Sequence, residues 1–344
     1  MYHIKDIKQI HLEISTMCNA RCPQCPRNFR GYPYNDGYTE TNLTLEQVQK
    51  IFPIEFVQQL KHIHINGNYG DMVMNPETLD IIEYFKSHNT QAQILICTNG
   101  SARNEQFWKK LAELDCAVEF ALDGLEDTHT LYRQNTNWHT VIKNAQTFIS
   151  AGGHAIWKFI KFKHNQHQVL DCEKLCNKLG FKEFKTVDDG RNWGPVYDRQ
   201  GKLVHTMGDW TAYNEDDDCI AHDTIEPAIQ RRKEIVMLLE DVARNETPRT
   251  SIGCYAKKNK EIYVSATGEV YPCCWLGMYP QTTTGFGTDQ EVLNKQLQPL
   301  IRNNNALEHE LEECIAWFNR VEQSWSCSTY QDGRLIQCDR VCGK

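Results

Sequence analysis

Three cysteines close to the start of the chain have a spacing that suits iron–sulfur chemistry. Cys18, Cys22 and Cys25 lie in the run STMCNARCPQCPRN, with the pattern CxxxCxxC. Three thiolates on one short loop can each bind a different iron of a cubane cluster, which leaves the fourth iron without a protein ligand. The pattern therefore predicts a metal cluster with one open coordination position, at which a second molecule can bind and react.

Two other uses of these cysteines agree less well with the sequence. A structural zinc site is closed by four ligands, usually arranged as two pairs, and no second pair follows at a suitable spacing. Disulfide frameworks are typical of small secreted chains, whereas this chain has 344 residues, 15 cysteines and no apolar stretch behind a charged start. Zinc stays open as an alternative, and the many thiols indicate a reducing, cytoplasmic compartment.

Composition and charge narrow the class of protein. The formal net charge is −8 and no stripe of lysine and arginine stands out, which disfavours nucleic acid as a partner. No run reaches the roughly 18 apolar residues that a membrane-spanning helix needs. With 40% hydrophobic residues, the chain can bury one large core and a smaller one. We therefore expect a soluble protein with neither a nucleic acid nor a membrane as partner.

Strand and helix patterns alternate from residue 7 to residue 187. The predicted strands cover 7–14, 62–65, 93–97, 118–122, 156–162 and 183–187. The predicted helices cover 44–60, a segment that begins at Asn75 and Pro76, a segment that carries Phe107, Leu111 and Leu114, 138–150 and 169–179. This alternation predicts an α/β fold with a parallel sheet, either curled into a barrel or open and doubly wound.

Two further parts of the chain follow the predicted α/β domain. Residues 1–190 form the predicted α/β domain, and 191–250 form a bridging segment with the acidic run NEDDDC and a helix near 226–245. Residues 251–344 form a predicted small α+β domain with a β-hairpin and a helix that carries Leu307, Leu311, Cys314, Phe318 and Val321 on one face. The sequence thus predicts a large domain, a bridge and a small C-terminal domain.

Glycine-containing and polar motifs follow the predicted strands. GNYGD, from Gly67 to Asp71, follows the second strand, Thr98–Asn99–Gly100 follows the third, and the fourth ends in ALDGLEDTHTLYR. Because the carboxyl ends of barrel strands carry the active site in barrel enzymes, we expect these motifs to lie near the cysteine loop. Each motif alone is also explained by a turn or a solvated surface residue. On the fifth strand, Lys158, Lys161 or Lys163 can point into the barrel mouth or line a solvated edge.

The chain resembles the radical SAM superfamily, whose hallmark is CxxxCxxC in a loop after the first strand of a partial (β/α)6 barrel. The resemblance implies a [4Fe-4S] cluster on Cys18, Cys22 and Cys25, with S-adenosylmethionine (SAM) on the fourth iron. Reductive cleavage of SAM then yields a 5′-deoxyadenosyl radical, and a reductant such as flavodoxin or ferredoxin supplies the electron. Gln24 departs from the family pattern, which usually has an aromatic residue there. The residues to which the resemblance assigns SAM binding are Gly67, Asn68, Tyr69, Gly70, Asp71, Thr98, Asn99, Asp123 and Arg133.

A second set of cysteines lies near the C-terminus. Cys254, Gly268 and Cys273 form the pattern Cx13Gx4C around a predicted hairpin, with the glycine in its turn. This pattern resembles the auxiliary-cluster hairpin of SPASM and twitch domains, which follow a radical SAM barrel. The resemblance implies one auxiliary [4Fe-4S] cluster on Cys254, Cys273, Cys338 and Cys342. Cys274 or Cys327 can replace one of these ligands, and a zinc site at the same positions is the structural alternative.

Three functions fit these motifs. The leading hypothesis is a radical SAM enzyme that abstracts hydrogen from a small molecule and oxidises it, with the auxiliary cluster as electron acceptor. The alternatives are a peptide-modifying radical SAM maturase and a noncatalytic iron–sulfur electron carrier. Cys97 is the barrel cysteine near a strand end that could return a hydrogen atom to a product radical. Their periodicity or position in the sequence argues against five other cysteines as ligands. These are Cys116, Cys172, Cys176, Cys219 and Cys314.

Overall fold

The computed structural model describes residues 3–33, 39–188, 193–208, 223–227, 229–230, 247–249, 251–278 and 290–344. Within these residues a single large sheet carries eight strands, and a separate hairpin carries two. The parallel strands are β1 (Gln9–Leu12), β2 (His62–Ile65), β3 (Gln93–Thr98), β4 (Ala117–Ala121), β5 (His154–Lys161) and β6 (Glu183–Asp188).

The strand order decides between the two predicted architectures. Strands β1 to β6 lie side by side in chain order, and each pairs in parallel with the next. A doubly wound sheet reverses its strand order at a switch point, whereas a barrel adds every strand on the same side. The chain therefore forms a partial (β/α)6 barrel, and the predicted fold class is confirmed.

Helices follow the strands of the barrel. They are α1 (Leu45–Ile51), α2 (Ile54–Gln59), α3 (Thr78–His88), α4 (Glu105–Glu113), α5 (Glu126–Tyr132), α6 (Trp138–Ser150) and α7 (Val169–Leu179). Their apolar faces bury against the sheet, as for Trp108 on α4, whose ring centre lies 5.3 Å from that of Phe120 on β4. Burying a side chain of this size contributes about 2 kcal/mol or more. The helices thus cover the outside of the barrel, and its strand ends stay available for the site.

The C-terminal hairpin extends the same sheet. Its strands are β9 (Glu261–Val264) and β10 (Val270–Tyr271), and β9 pairs in parallel with β1, Gln9 lying opposite Glu261. Gly268 has a φ of +86° in the turn, which is the conformation that the sequence pattern required of it. The C-terminal helices are α8 (Tyr255–Asn259), α9 (Cys274–Gly277), α10 (Gln290–Leu297), α11 (Leu311–Ile315), α12 (Phe318–Ser324) and α13 (Ile336–Cys342).

Three predicted helices differ from the structure. The helix predicted over 44–60 is divided into α1 and α2 by Pro53, which has no N–H to continue a helix. Helix α3 begins at Thr78 with Glu77 as its N-cap, so Asn75 lies before it: its side-chain oxygen accepts the amide of Glu77 at 2.9 Å, and its side-chain NH2 donates to the carbonyl oxygens of Ile14 and Leu43 at 2.7 and 2.8 Å. The helix predicted from Leu307 to Val321 is divided into two short helices, α11 and α12, and Leu307 lies in a turn before them.

The bridging segment contains strands that the sequence pattern did not predict. Strands β7 (Trp193–Tyr197) and β8 (Leu203–Gly208) form an antiparallel hairpin, with Val196 and Met207 buried beside the cysteine loop. The acidic run with Cys219, and most of the helix predicted over 226–245, lie outside the described residues. Helix α5 was also not predicted. In the part of the chain that the structure describes, no helix has the length and apolar character to cross a membrane.

Candidate functional site

The cysteine loop follows β1 and is closed by its own backbone. The amide of Cys25 donates to the carbonyl oxygen of Cys22 at 3.0 Å, and the guanidinium of Arg27 donates to the carbonyl oxygen of Cys18 at 3.0 Å. Asn28 donates a side-chain hydrogen bond of 3.3 Å to the carbonyl oxygen of Cys22. These bonds hold the three thiols on a short, ordered turn.

All three thiols line one pocket of about 350 Å³, which is of the size that small ligands occupy. Cys22 is buried, and Cys18 and Cys25 are half-buried. Burial raises the pKa of all three thiols, that of Cys25 to about 11, and the neighbouring thiols raise the pKa of Cys18 further. Buried thiols whose pKa is raised become thiolates when a metal cation binds them, which is the donor chemistry of an iron–sulfur cluster. The donor set therefore fits the group that the sequence pattern predicts.

The GNYGD segment lies in the same pocket and is held by Glu13, which the sequence analysis did not identify. The backbone amides of Tyr69 and Gly70 donate to one oxygen of the Glu13 carboxylate at 2.7 and 2.9 Å. Tyr263 on β9 donates its hydroxyl to the other oxygen at 2.6 Å. Burial raises the pKa of Glu13, while the bond from Tyr263 lowers it. An acidic residue in the otherwise apolar end of a strand was the signal in the sequence.

Gly67 and Gly70 are required in this segment because neither position has room for a side chain. A Cβ atom added to Gly70 would lie 1.7 Å from the carbonyl oxygen of Ser15, and one added to Gly67 would lie 2.4 Å from the carbonyl oxygen of Gly70. No side chain fits at either position, because both neighbours are backbone atoms. The loop thus packs directly on the chain that leads to Cys18, and its backbone faces the pocket.

Asp71 joins the loops after β2 and β3. Its carboxylate accepts hydrogen bonds from the hydroxyl of Thr98 at 2.7 Å, the amide of Val73 at 3.1 Å, and the backbone and side-chain N–H groups of Asn99 at 2.7 and 2.8 Å. Asn99 in turn lies 3.6 Å from the sulfur of Cys18. Burial raises the pKa of Asp71, and these four donors oppose that change. The structure therefore gives Asp71 a positioning function, and its predicted contact with an ammonium group stays a prediction.

Asp123 and Arg133 form a buried ion pair beside the cysteines. The Nε of Arg133 donates to Asp123 at 2.6 Å, and Asp123 also accepts the backbone amide of Ile160 at 2.7 Å. The other end of the guanidinium lies 3.6 Å from the sulfur of Cys22. Asp123 is fully buried and does not line the pocket, whereas Arg133 does. Arg133 is thus aimed at the pocket with donors to spare, and Asp123 holds it there.

The four C-terminal cysteines line a second, apolar pocket. Cys254, Cys273, Cys338 and Cys342 all border it, together with the indole of Trp325. Burial raises the pKa of Cys338 to about 12, a nearby donor on Trp325 lowers it, and Cys254 and Cys342 raise it again. These thiols are therefore close enough together to influence one another. The structure therefore brings the four cysteines of the predicted set to one pocket.

Pairing of the chain end explains why distant cysteines meet. The amide of Gly253 donates to the carbonyl oxygen of Cys342 at 2.8 Å, and the amide of Lys344 donates to that of Ser251 at 2.9 Å. This short antiparallel contact sets Cys254 beside the end of α13. Cys338 follows because it lies one helical turn before Cys342.

The other cysteines separate clearly by position. Cys274 lines the barrel pocket instead of the second one, and Trp275 lines both, so the segment after Cys273 divides the two pockets. Cys327 borders neither pocket, and Cys314 is fully buried in the core. Among the described residues, no group of three or more His, Cys, Asp or Glu side chains is placed to hold a single metal ion. The thiols of a cubane bind separate irons.

Comparison with protein families gives one match that spans half of the chain. The model described as "Radical SAM superfamily" matches residues 12–188. A curated relative, the uncharacterized protein MJ0907 of Methanocaldococcus jannaschii, is 27% identical over 127 residues, which are 36% of this chain and 41% of that protein. The matched region thus spans about two fifths of the length of this relative.

Solved structures show the same fold at low identity. SuiB of Streptococcus suis bound to S-adenosylmethionine aligns with a TM-score of 0.57 at 13% identity, covering 98% of this chain and 73% of SuiB. In a further SuiB structure, which aligns with a TM-score of 0.51 at 12% identity, the alignment covers 78% of this chain and 61% of SuiB. The protein anSMEcpe with bound AdoMet aligns with a TM-score of 0.54 at 16% identity, covering 95% of this chain and 85% of that one. At these identities the likeness establishes the fold.

Proposed function

The chain belongs to the radical SAM superfamily, and on that premise we propose that it oxidises a small molecule with SAM bound beside the cluster of Cys18, Cys22 and Cys25. When bound, the cluster and SAM supply a radical that is strong enough to abstract hydrogen from an unactivated carbon. The observation that carries the proposal is the content of one pocket: the three thiols, the Gly67–Gly70 backbone and the guanidinium of Arg133. The proposed cellular compartment is the cytoplasm, with flavodoxin or ferredoxin as reductant.

The chain's own residues bind and orient the reactants. In this proposal Arg133 pairs with the carboxylate of SAM; the bond from its Nε to Asp123, which fixes the direction of the guanidinium, supports this role. The Gly67–Gly70 backbone offers carbonyl oxygens to the ammonium group, because Glu13 already takes the N–H groups of that loop. Apolar walls around Tyr132 and Ile160 keep water from the reacting carbon.

We also propose that Cys254, Cys273, Cys338 and Cys342 hold one auxiliary [4Fe-4S] cluster, in a twitch-like domain formed by residues 251–344. Four thiols that line one apolar pocket support this assignment. Among the described residues, Trp275 lines both that pocket and the barrel pocket, with Cys273 on one and Cys274 on the other. Such an arrangement suits an electron acceptor for the oxidised substrate, which is why oxidation is favoured over a redox-neutral outcome.

Anaerobic reconstitution with iron and sulfide tests the proposal. We expect about eight irons per chain, since each cubane holds four, and 5′-deoxyadenosine should form from SAM after reduction. The Cys22→Ala variant should form none. The matched control is Cys116→Ala, which removes a buried core thiol outside both pockets and should keep SAM cleavage. A fully loaded barrel cluster that cleaves no SAM would instead support the electron-carrier hypothesis.

A metal analysis separates the auxiliary cluster from the zinc alternative. Zinc that copurifies at about one per chain and persists through reconstitution would contradict the cluster assignment. The Cys338→Ala variant should lose the auxiliary iron, still cleave SAM, and form no oxidised product. Its control is Cys327→Ala, because Cys327 lies nearby but borders neither pocket. Loss of iron in both variants would move the ligand set to include Cys327.

A peptide substrate is the second candidate. Two structures of the same fold are described with peptides, SuiB with the precursor peptide SuiA and anSMEcpe with a Cp18Cys peptide. Under this hypothesis the barrel pocket takes one residue of the peptide. Mass spectrometry distinguishes the two, because the loss of two hydrogens per turnover would be found in a peptide under this hypothesis and in a small molecule under the first proposal.

A further inference from the structure

Each strand of the barrel contributes one polar side chain to a continuous layer inside it. The polar layer consists of His11, His64, Cys97, Glu119, Lys158 and Lys185, on β1 to β6 in that order. Cys97, Glu119 and Lys158 also line the pocket that holds the three cluster cysteines. Polar groups inside a barrel are unusual because they must be desolvated, so the layer needs an explanation beyond packing.

Glu119 is the centre of the layer. It is 5% exposed, and it accepts hydrogen bonds from Lys185 at 2.9 Å, from Lys158 at 3.2 Å and from the thiol of Cys97 at 3.2 Å. Burial raises its pKa, but the bond from Lys185 and the charge of Lys158 lower it to about 2 overall. The carboxylate is therefore ionised at neutral pH and holds both ammonium groups in fixed positions.

The layer carries more positive than negative charge. Burial lowers the pKa of His11 to about 3 and that of His64 to about 4, so both rings are neutral. Burial also keeps the thiol of Cys97 protonated by raising its pKa. The layer thus holds two ammonium groups and one carboxylate.

The two ammonium groups of the layer differ in their carboxylate partners and in their exposure to the pocket. Lys185 has a second carboxylate, Glu183, at 3.6 Å. Among the described residues Lys158 pairs with Glu119 alone, and its side chain is 34% exposed in the pocket. Elsewhere around the pocket, Asp123 and Arg133 neutralise one another, and the carboxylate of Asp71 accepts four hydrogen bonds. The ammonium group of Lys158, which shares its carboxylate partner with Lys185, therefore faces the substrate space with unused donors.

We propose that Lys158 anchors the substrate through a single carboxylate group. Because Lys158 shares Glu119 with Lys185, its ammonium group has donors left for one further carboxylate, and since Glu119 already holds it, it binds such a partner without losing further side-chain freedom. The partner is a carboxylate of a small molecule or of a peptide residue. The inference rests on the proposed function, because only a substrate that reaches the barrel pocket meets this group.

Binding of matched probes tests this assignment on the reconstituted enzyme, kept oxidised and supplied with SAM so that no turnover occurs. Butyrate and butyramide have the same shape and differ in charge. We expect butyrate to bind about tenfold more tightly in NMR titrations, as for a charge-assisted hydrogen bond. The Lys158→Met variant should lose this preference, and Lys158→Arg should keep it. The control Lys161→Met should also keep it, because Lys161 pairs with Asp188 at 2.6 Å and does not line the pocket.

Each other outcome overturns the assignment. Equal affinity for both probes in the wild type would remove the carboxylate site, and a preference that survives in a folded Lys158→Met variant would place it elsewhere. Displacement of butyrate by much lower concentrations of inorganic phosphate would indicate a dianionic ligand. The sources are separated by the same titration with acetyl-glutamate-amide, a peptide-like carboxylate. A failure to form 5′-deoxyadenosine is measured separately and would contradict the proposed function without touching this result.

Discussion

The residues around the barrel pocket form pairs, in which one member faces the pocket and the other holds the first in position. Arg133 faces the pocket and is held by Asp123. The Gly67–Gly70 backbone also faces the pocket and is held by Glu13. The holding residues are the more buried members. A buried carboxylate that accepts several hydrogen bonds fixes its partner more firmly than a solvated one. Substitutions of the pocket-facing residues and substitutions of the residues that hold them should therefore have different effects.

Arg133→Met should weaken SAM binding and leave the barrel cluster in place. A charge-assisted hydrogen bond contributes roughly 1.5–3 kcal/mol, so we expect SAM affinity to fall about tenfold to a hundredfold. Equilibrium binding of SAM to the oxidised, reconstituted enzyme measures this change. Arg320→Met is the control, because Arg320 is exposed on α12. Unchanged SAM affinity in the Arg133 variant would contradict its assignment.

Gly70→Ala should prevent the GNYGD loop from packing. The added methyl group would collide with the carbonyl oxygen of Ser15 at 1.7 Å, and a backbone oxygen cannot move aside as a flexible side chain can. We expect a loss of SAM binding and a lower melting temperature. Gly152→Ala is the matched control, because its φ is +92° but no atom lies within 4 Å, so only backbone strain of about 1 kcal/mol applies. Similar behaviour of the two variants would rule out the steric explanation.

At the scale of elements, the new feature is the pairing of β9 with β1. It brings Tyr263 to Glu13 and so connects the C-terminal hairpin to the GNYGD loop. The same register sets Glu261 opposite Gln9, whose side-chain amide donates to it at 2.8 Å. Burial raises the pKa of Glu261 from 4.5 to about 7. This strand pair therefore has a stability that depends on pH.

Glu261→Gln should remove that dependence. Between pH 4.5 and about 7 the folded protein keeps the proton on Glu261 while the unfolded chain releases it, so stability falls as the pH rises through this range. The loss amounts to at most about 3 kcal/mol, since one pKa unit corresponds to about 1.4 kcal/mol. Denaturant midpoints at several pH values measure it. The exposed Glu113→Gln variant should keep the wild-type profile, and a wild-type profile in Glu261→Gln would contradict this origin.

Much of the barrel could be predicted from sequence because its strands alternate with amphipathic helices. The helices 138–150 and 169–179 match the structure to the residue, since each has a clear cap or a terminal glycine. Pro53 was a visible signal for a break that the periodicity of its flanks concealed. The hairpin of β7 and β8 could not be predicted, because its few buried residues pack on the cysteine loop and form no regular pattern. The acidic character of Glu13 was visible in the sequence, but its role was not, because its partners lie far away in sequence.

At the scale of the whole molecule, the part of the chain that the structure describes holds two cysteine pockets, and different segments position them. The barrel pocket depends on the loops after the first strands, whereas Cys338 and Cys342 depend on the placement of α13. A buried ion pair fixes that helix: Arg334 donates to Asp339 at 2.7 Å and to the carbonyl oxygen of Arg249 at 2.6 Å. The two pockets should therefore be separable by mutation.

Arg334→Met should empty the C-terminal pocket and spare the barrel pocket. Removing one partner of a buried ion pair costs about 3–5 kcal/mol, because Asp339 is left buried and unpaired at its Arg334 side. We expect α13 to detach and iron to fall from about eight to about four per chain, while 5′-deoxyadenosine formation persists. Cys22→Ala should show the reverse, with iron reduced to the same extent and no 5′-deoxyadenosine. Arg340→Met, on the same helix but exposed to a greater extent, should retain both clusters. If Arg334→Met lost all iron and all cleavage together, the two pockets would form one cooperative unit, and the division of labour between them would be wrong.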